Sequence, residues 1–122
     1  MAKVLIIDDS ITMRQMVAFT LEKAGHEVHS AESGLSALKI TDKERFDLFI
    51  TDLNMPGMNG LELIKELRMR QASRSKPILV LTTEADAEKK AAGRAAGATG
   101  WIVKPFDPSA LLAVLPRVLN QE

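Results

Sequence analysis

Five short apolar runs alternate along this chain with five longer stretches in which apolar residues return every three or four positions. Lys3 to Ile7 is almost unbroken Val, Leu and Ile, too short for a helix and without polar alternation, as a strand covered on both faces requires. Ser10 can then cap a helix predicted over Ile11 to Ala24, where Met13, Val17, Leu21 and Ala24 share a face and Gly25 closes the last turn. Glu27 to Ala31 is a more polar strand, which suits a sheet edge, and Ser33-Gly34 opens a second helix through Leu35, Leu38 and Ile40. A strand over Asp47 to Thr51 leads to Met55-Pro56-Gly57-Met58, a turn in which proline presets one central position and glycine accepts positive φ at the next. Asn59, with Glu62 three residues on, caps a third helix that carries Leu61, Ile64 and Leu67 inward. Pro77 to Leu81 reads as the fourth strand, Glu84 to Ala96 as a fourth helix closed by Gly97, and Gly100 to Val103 as the fifth strand. Asp107-Pro108 opens the last helix with a cap and a first-turn proline.

Strict alternation of strand and helix predicts an α/β fold with a parallel sheet and right-handed crossovers. One domain over residues 1–122 accounts for the length, and Arg70 to Lys76 is a polar connection rather than a linker. Two positions break local rules. Pro116 falls inside the last helix, where it removes a hydrogen bond to the Leu112 carbonyl and should bend or end the helix. Gly93 weakens the fourth helix by about 1 kcal/mol relative to alanine.

Composition removes several function classes. With no cysteine, a disulfide framework, a thiolate metal site and a cysteine nucleophile are all excluded. Formal charge is zero and the basic residues are mixed with acids, so the electrostatic footprint of a nucleic-acid binder is missing. No apolar stretch approaches the length of a membrane span and the amino terminus lacks the sections of a secretion signal, so a cytoplasmic location is expected.

Three of the apolar runs stop at charge: Ile6-Ile7 at Asp8-Asp9, Phe49-Ile50-Thr51 at Asp52, and Trp101-Ile102-Val103 at Lys104. Open parallel sheets bind ligands beyond the carboxyl ends of their strands, and Asp8, Asp9, Asp52, Thr82 and Lys104 all fall there. Crowded carboxylates repel unless a cation neutralises them, and an all-oxygen ligand set suits a hard ion such as Mg²⁺. A lysine at the same rim makes sense when an anion binds as well. A metal, an ammonium and a threonine hydroxyl around an aspartate make that carboxylate a nucleophile suited to attack on phosphorus.

Asp8-Asp9, Thr51-Asp52-Leu53-Asn54-Met55-Pro56-Gly57, Leu81-Thr82-Thr83 and Val103-Lys104-Pro105-Phe106 together resemble the receiver domain of two-component response regulators, in order and spacing, over essentially the whole chain. Within that family the stand-alone chemotaxis regulators are most similar. The resemblance implies a flavodoxin-like, doubly wound, five-stranded sheet of order 2-1-3-4-5 with five helices. It makes Asp52 the acceptor of a phosphoryl group from a histidine kinase. Asp9 and Asp52 would ligate Mg²⁺ directly, Asp8 through water and Asn54 by its backbone carbonyl. Lys104 would pair with the phosphoryl oxygens, Thr82 would swing toward them, and the Lys104–Pro105 peptide would be cis.

Trp101 stands where related receivers usually carry a gating tyrosine, and its indole donates from a different position. Arg14 reads equally as part of a kinase-docking face or as a solvent-facing cation. Asn54 and Glu84, each two residues beyond a site residue, would govern access of attacking water. His26 and His29 read as solvated, and Met13, Met16 and Met69 as helix packing. The expected output is a protein partner met through the fourth helix, fifth strand and fifth helix: a flagellar motor switch protein in chemotaxis, or a histidine phosphotransfer protein if the chain is a phosphorelay shuttle or phosphate sink. A phosphatase partner and a monomeric state are also expected. A different class, an Mg²⁺-dependent phosphohydrolase with an aspartyl intermediate, would want a second Asp two residues after the nucleophile, where this chain has Asn54. A flavin or nucleotide binder would need a glycine-rich phosphate loop after the first strand, and none is present.

Overall fold

The computed structural model describes residues 1–119, so the last three positions of the expected single domain lie outside the described residues. Five strands, β1 (Lys3–Ile7), β2 (Glu27–Ala31), β3 (Leu48–Thr51), β4 (Ile78–Thr82) and β5 (Gly100–Val103), alternate with helices α1 (Ile11–Lys23), α2 (Gly34–Lys43), α3 (Gly60–Met69), α4 (Ala87–Ala96) and α5 (Pro108–Leu119). All strand pairs are parallel and the order is β2-β1-β3-β4-β5, as the family resemblance implied. The register places Ile7 beside Thr51 and Thr82 beside Val103, which aligns the strand ends that carry the charged residues.

Successive strand residues point to opposite faces, and here both faces are covered. Leu5, Ile7, Phe49 and Val80 pack with Leu38, Leu63, Ile64 and Leu67 beneath α2 and α3. Val4, Ile6, Ile50, Leu79 and Leu81 pack with Val17, Leu21, Leu111 and Leu115 beneath α1 and α5. That is why the sequences of β1, β3 and β4 show no polar alternation.

Most caps follow the sequence. Ser10 accepts from the Met13 amide, Ser33 from Ser36, and Asn59 with Glu62 forms a reciprocal capping box. Helix α4 starts three residues later than expected, at Ala87, because the Asp86 carboxylate takes the Glu88 amide and becomes the cap. Strand β4 is shifted one residue, to Ile78–Thr82.

Pro116 does not end α5, which continues to Leu119. The ring is exposed while Leu115 and Val118 bury beside it, so packing on both flanks carries the helix through its last turn. Leu35, Met16 and Met69 are not packed: they are 62%, 49% and 78% exposed. Neither histidine is merely solvated. His26 Nδ1 accepts from the Ala2 amide at 3.0 Å, and His29 Nε2 lies 2.7 Å from the Glu27 carboxylate.

Candidate functional site

The apolar ends of β1, β3 and β5 deliver their charged neighbours to one place. Asp8, Asp9 and Asp52 each offer a carboxylate oxygen, and these oxygens all lie within 4.8 Å of one another. Asp8 and Asp52 are buried and Asp9 is exposed, so the cluster has two fixed members and one open to solvent. Lys104 Nζ reaches into it, donating to Asp8 Oδ2 at 2.8 Å and to Asp52 Oδ2 at 3.2 Å. Burial works against the lysine charge, but the hydrogen bond to Asp8 and the charges of Asp52 and Asp8 outweigh it and raise its pKa. The peptide bond between Lys104 and Pro105 is cis.

Backbone groups fix the carboxylates. The Ser10 amide donates to Asp8 Oδ1 at 2.9 Å and the Leu53 amide to Asp52 Oδ1 at 2.7 Å. Each acid therefore keeps its Oδ2 for the lysine and for whatever enters the cluster. Arg14 is neither solvent-facing nor free: its guanidinium donates to the Asp8 carbonyl at 2.7 Å and braces the turn after β1. Gly60 performs a complementary task, because a Cβ there would collide with the Asp52 carbonyl and lie 2.8 Å from Leu53 Cα. Only glycine lets α3 begin so close to the end of β3.

Thr82 lies buried at the end of β4 with its hydroxyl on the Glu84 amide, at 3.4 Å, rather than on the carboxylates. Asn54 turns its side chain to Glu84, donating from Nδ2 to Oε2 at 3.1 Å. Glu84 is tied a second time through its carbonyl, which accepts the Trp101 indole N–H at 2.8 Å. The indole lies against α4 where the helix lacks a side chain: a Cβ on Gly93 would come 2.5 Å from the ring. Gly93 thus breaks helix propensity to admit Trp101, a relation between residues eight apart in sequence that no single motif announces.

The donor set fits a hard divalent cation. All three ligating groups are carboxylates, they converge, and one lysine neutralises part of their charge. Asp8, Asp9 and Asp52 are the residues that would hold such an ion.

These features place an acidic cluster with one lysine at the carboxyl rim of a doubly wound sheet. Residues 4–116 match the response regulator receiver domain, and the chain belongs to that family. It is 42% identical to the chemotaxis protein CheY homolog of Campylobacter jejuni, over 97% of this chain and 92% of that protein. The solved structure of Vibrio cholerae chemotaxis protein CheY4 superposes with a TM-score of 0.93 at 55% identity, covering 97% of this chain and 98% of that one. A response regulator of Thermotoga maritima in complex with Mg²⁺ and BeF aligns with a TM-score of 0.86 at 30% identity, covering 97% and 99%. The chain is a two-component receiver of the chemotaxis regulator type.

Proposed function

We propose that this protein is a phosphorylation-activated switch in which Asp52 accepts one phosphoryl group from a histidine kinase. The observation that carries this reading is the convergence of Asp8, Asp9 and Asp52 with Lys104 donating to two of them. In the transfer an Asp52 oxygen attacks phosphorus, the phosphorus–nitrogen bond of the donor phosphohistidine breaks, and the imidazole leaves with its electron pair. Mg²⁺, when bound by Asp8, Asp9 and Asp52, neutralises charge on the transferring group.

The chain's own groups do the rest. The Leu53 amide fixes the rotation of the Asp52 carboxylate. Lys104 already sits within hydrogen-bond distance of Asp52 and moves its ammonium to the new phosphoryl oxygens. Thr82 exchanges the Glu84 amide, a long 3.4 Å contact, for a phosphoryl oxygen. Glu84 then shifts with its ties to Asn54 and Trp101, altering the surface of α4, β5 and α5 that a protein partner reads. The relatives' names favour chemotaxis as the setting, and a flagellar motor switch protein is the partner that this reading expects.

Incubation with Mg²⁺ and acetyl phosphate should add one phosphoryl group, seen by intact mass, and Asp52→Asn should add none. Equal uptake by the variant would remove Asp52 from the role. Repeated turnover of phosphate esters by the wild type would replace the switch with a phosphohydrolase.

A further inference from the structure

Helix α4 is attached to the rest of the molecule very unequally at its two ends. Every residue from Asp86 to Ala92 is exposed, and the only buried position in the helix is Gly93. Nothing apolar anchors the amino-terminal half. At the other end, Gly97 takes a left-handed conformation and its carbonyl accepts both Nε and Nη2 of Arg68, at 2.9 and 2.7 Å. The same guanidinium donates from Nη1 to the carbonyls of Arg74 and Lys76, at 2.9 and 2.6 Å, and from Nη2 to Thr99 Oγ1 at 3.3 Å.

A guanidinium has five N–H donors, and these five contacts use all of them. None goes to a carboxylate. Arg68 therefore binds the last turn of α3, the α3–β4 connection, the end of α4 and the start of β5 through neutral oxygens only. The site is rigid on its far side as well, because Thr99 Oγ1 also accepts from the Ile78 amide and the Thr99 amide donates to the Ile78 carbonyl. The positive charge faces the carboxyl end of α4, where the helix dipole is negative. Gly97 must lack a side chain for this, since a Cβ would come 2.8 Å from Arg68 Cγ.

We propose that Arg68 is the fixed pivot of α4, so that the helix swings from its amino-terminal end while its carboxyl end stays locked to β4 and β5. Motion then enters at Glu84, whose carbonyl holds the Trp101 indole, and dies out by Gly97. The movable half is the one whose surface is entirely solvent-exposed and free to meet a partner.

Backbone amide hydrogen exchange read by NMR tests this in the free protein first. The amides of Gly97, Ala98 and Thr99 should exchange at least tenfold more slowly than those of Lys90 and Ala91. Arg68→Gln and Arg68→Lys should each erase most of that difference while Ile6 and Ile50 in the central strands keep their protection. Equal protection along wild-type α4, or unchanged exchange at Gly97 to Thr99 in both variants, would overturn the pivot. Mg²⁺ with beryllofluoride should then alter exchange at Glu88 to Ala91 and leave Gly97 to Thr99 as they were; a change of equal size at both ends would also overturn it. This last arm rests on the proposed phosphoacceptor: if beryllofluoride alters exchange nowhere, that reading fails, and the free-protein comparison still decides the pivot.

Discussion

Asp52 is held by its own backbone neighbourhood as much as by its ionic partners. The Leu53 amide fixes one carboxylate oxygen, and the missing side chain at Gly60 lets the chain double back without pushing on the Asp52 carbonyl. Gly60→Ala must displace main chain rather than a flexible side-chain tip, so it should destabilise the protein by about 1–3 kcal/mol, read from urea midpoints. It should also slow phosphoryl uptake, because the displaced peptide is that of the acceptor. A stability equal to wild type would show that the β3–α3 turn relaxes freely. The charged ends of the strands were legible in the sequence because a short apolar run that stops at an acid marks both a strand and its rim. Arg14 and Arg68 were not, since each donates to backbone carbonyls of the turns around it, and a carbonyl carries no mark in the sequence. No spacing rule distinguishes such an arginine from a solvated one.

Two helices contradict their local propensities in different ways. In α5 the missing amide at Pro116 leaves the Leu112 carbonyl without its helical donor, yet burial of Leu115 and Val118 keeps the turn formed. Pro116→Ala should restore that bond and raise stability by about 1 kcal/mol, less than the ~3 kcal/mol of a mid-helix proline because the last turn tolerates the loss. A fall in melting temperature would mean that proline's restriction of the unfolded chain is the larger effect. In α4 the glycine at position 93 is required by the indole beside it. Gly93→Ala gains up to ~1 kcal/mol of helix propensity and drives the Trp101 ring from its seat. Trp101 is the chain's one tryptophan, so its emission should shift to the red as its bond to Glu84 breaks. Unchanged emission would show that α4 moves aside instead. The order of elements was readable from periodicity throughout, whereas the start of α4 was not: only the fold assigns Glu84 to Asn54 and Trp101 and makes Asp86 the cap.

For the whole molecule, one titration links the amino terminus to stability. Burial, reinforced by the nearby terminal ammonium, lowers the pKa of His26 below its ordinary 6.5. The unfolded chain therefore takes up this proton first as pH falls. The stabilising contribution is complete above about pH 6.5 and is lost as pH drops through the lower folded value. Protonation of Nδ1 also cancels its role as acceptor for the Ala2 amide. The melting temperature should hold from pH 8 to 7 and then decline, and His26→Asn, which keeps an acceptor without titrating, should flatten the decline above pH 5. A slope unchanged in the variant would place the titration elsewhere. The strand order carries a consequence for assembly during synthesis. Once β1 and β2 have paired, β3 docks on the free edge of β1, β4 on that of β3 and β5 on that of β4, so no strand has to wedge between two already joined. The growing sheet then extends one strand at a time from its β1 side. Its acidic rim pays for that convenience: Lys104, which neutralises Asp8, lies 96 residues downstream of it, so the carboxylates stay uncompensated until the last strand arrives.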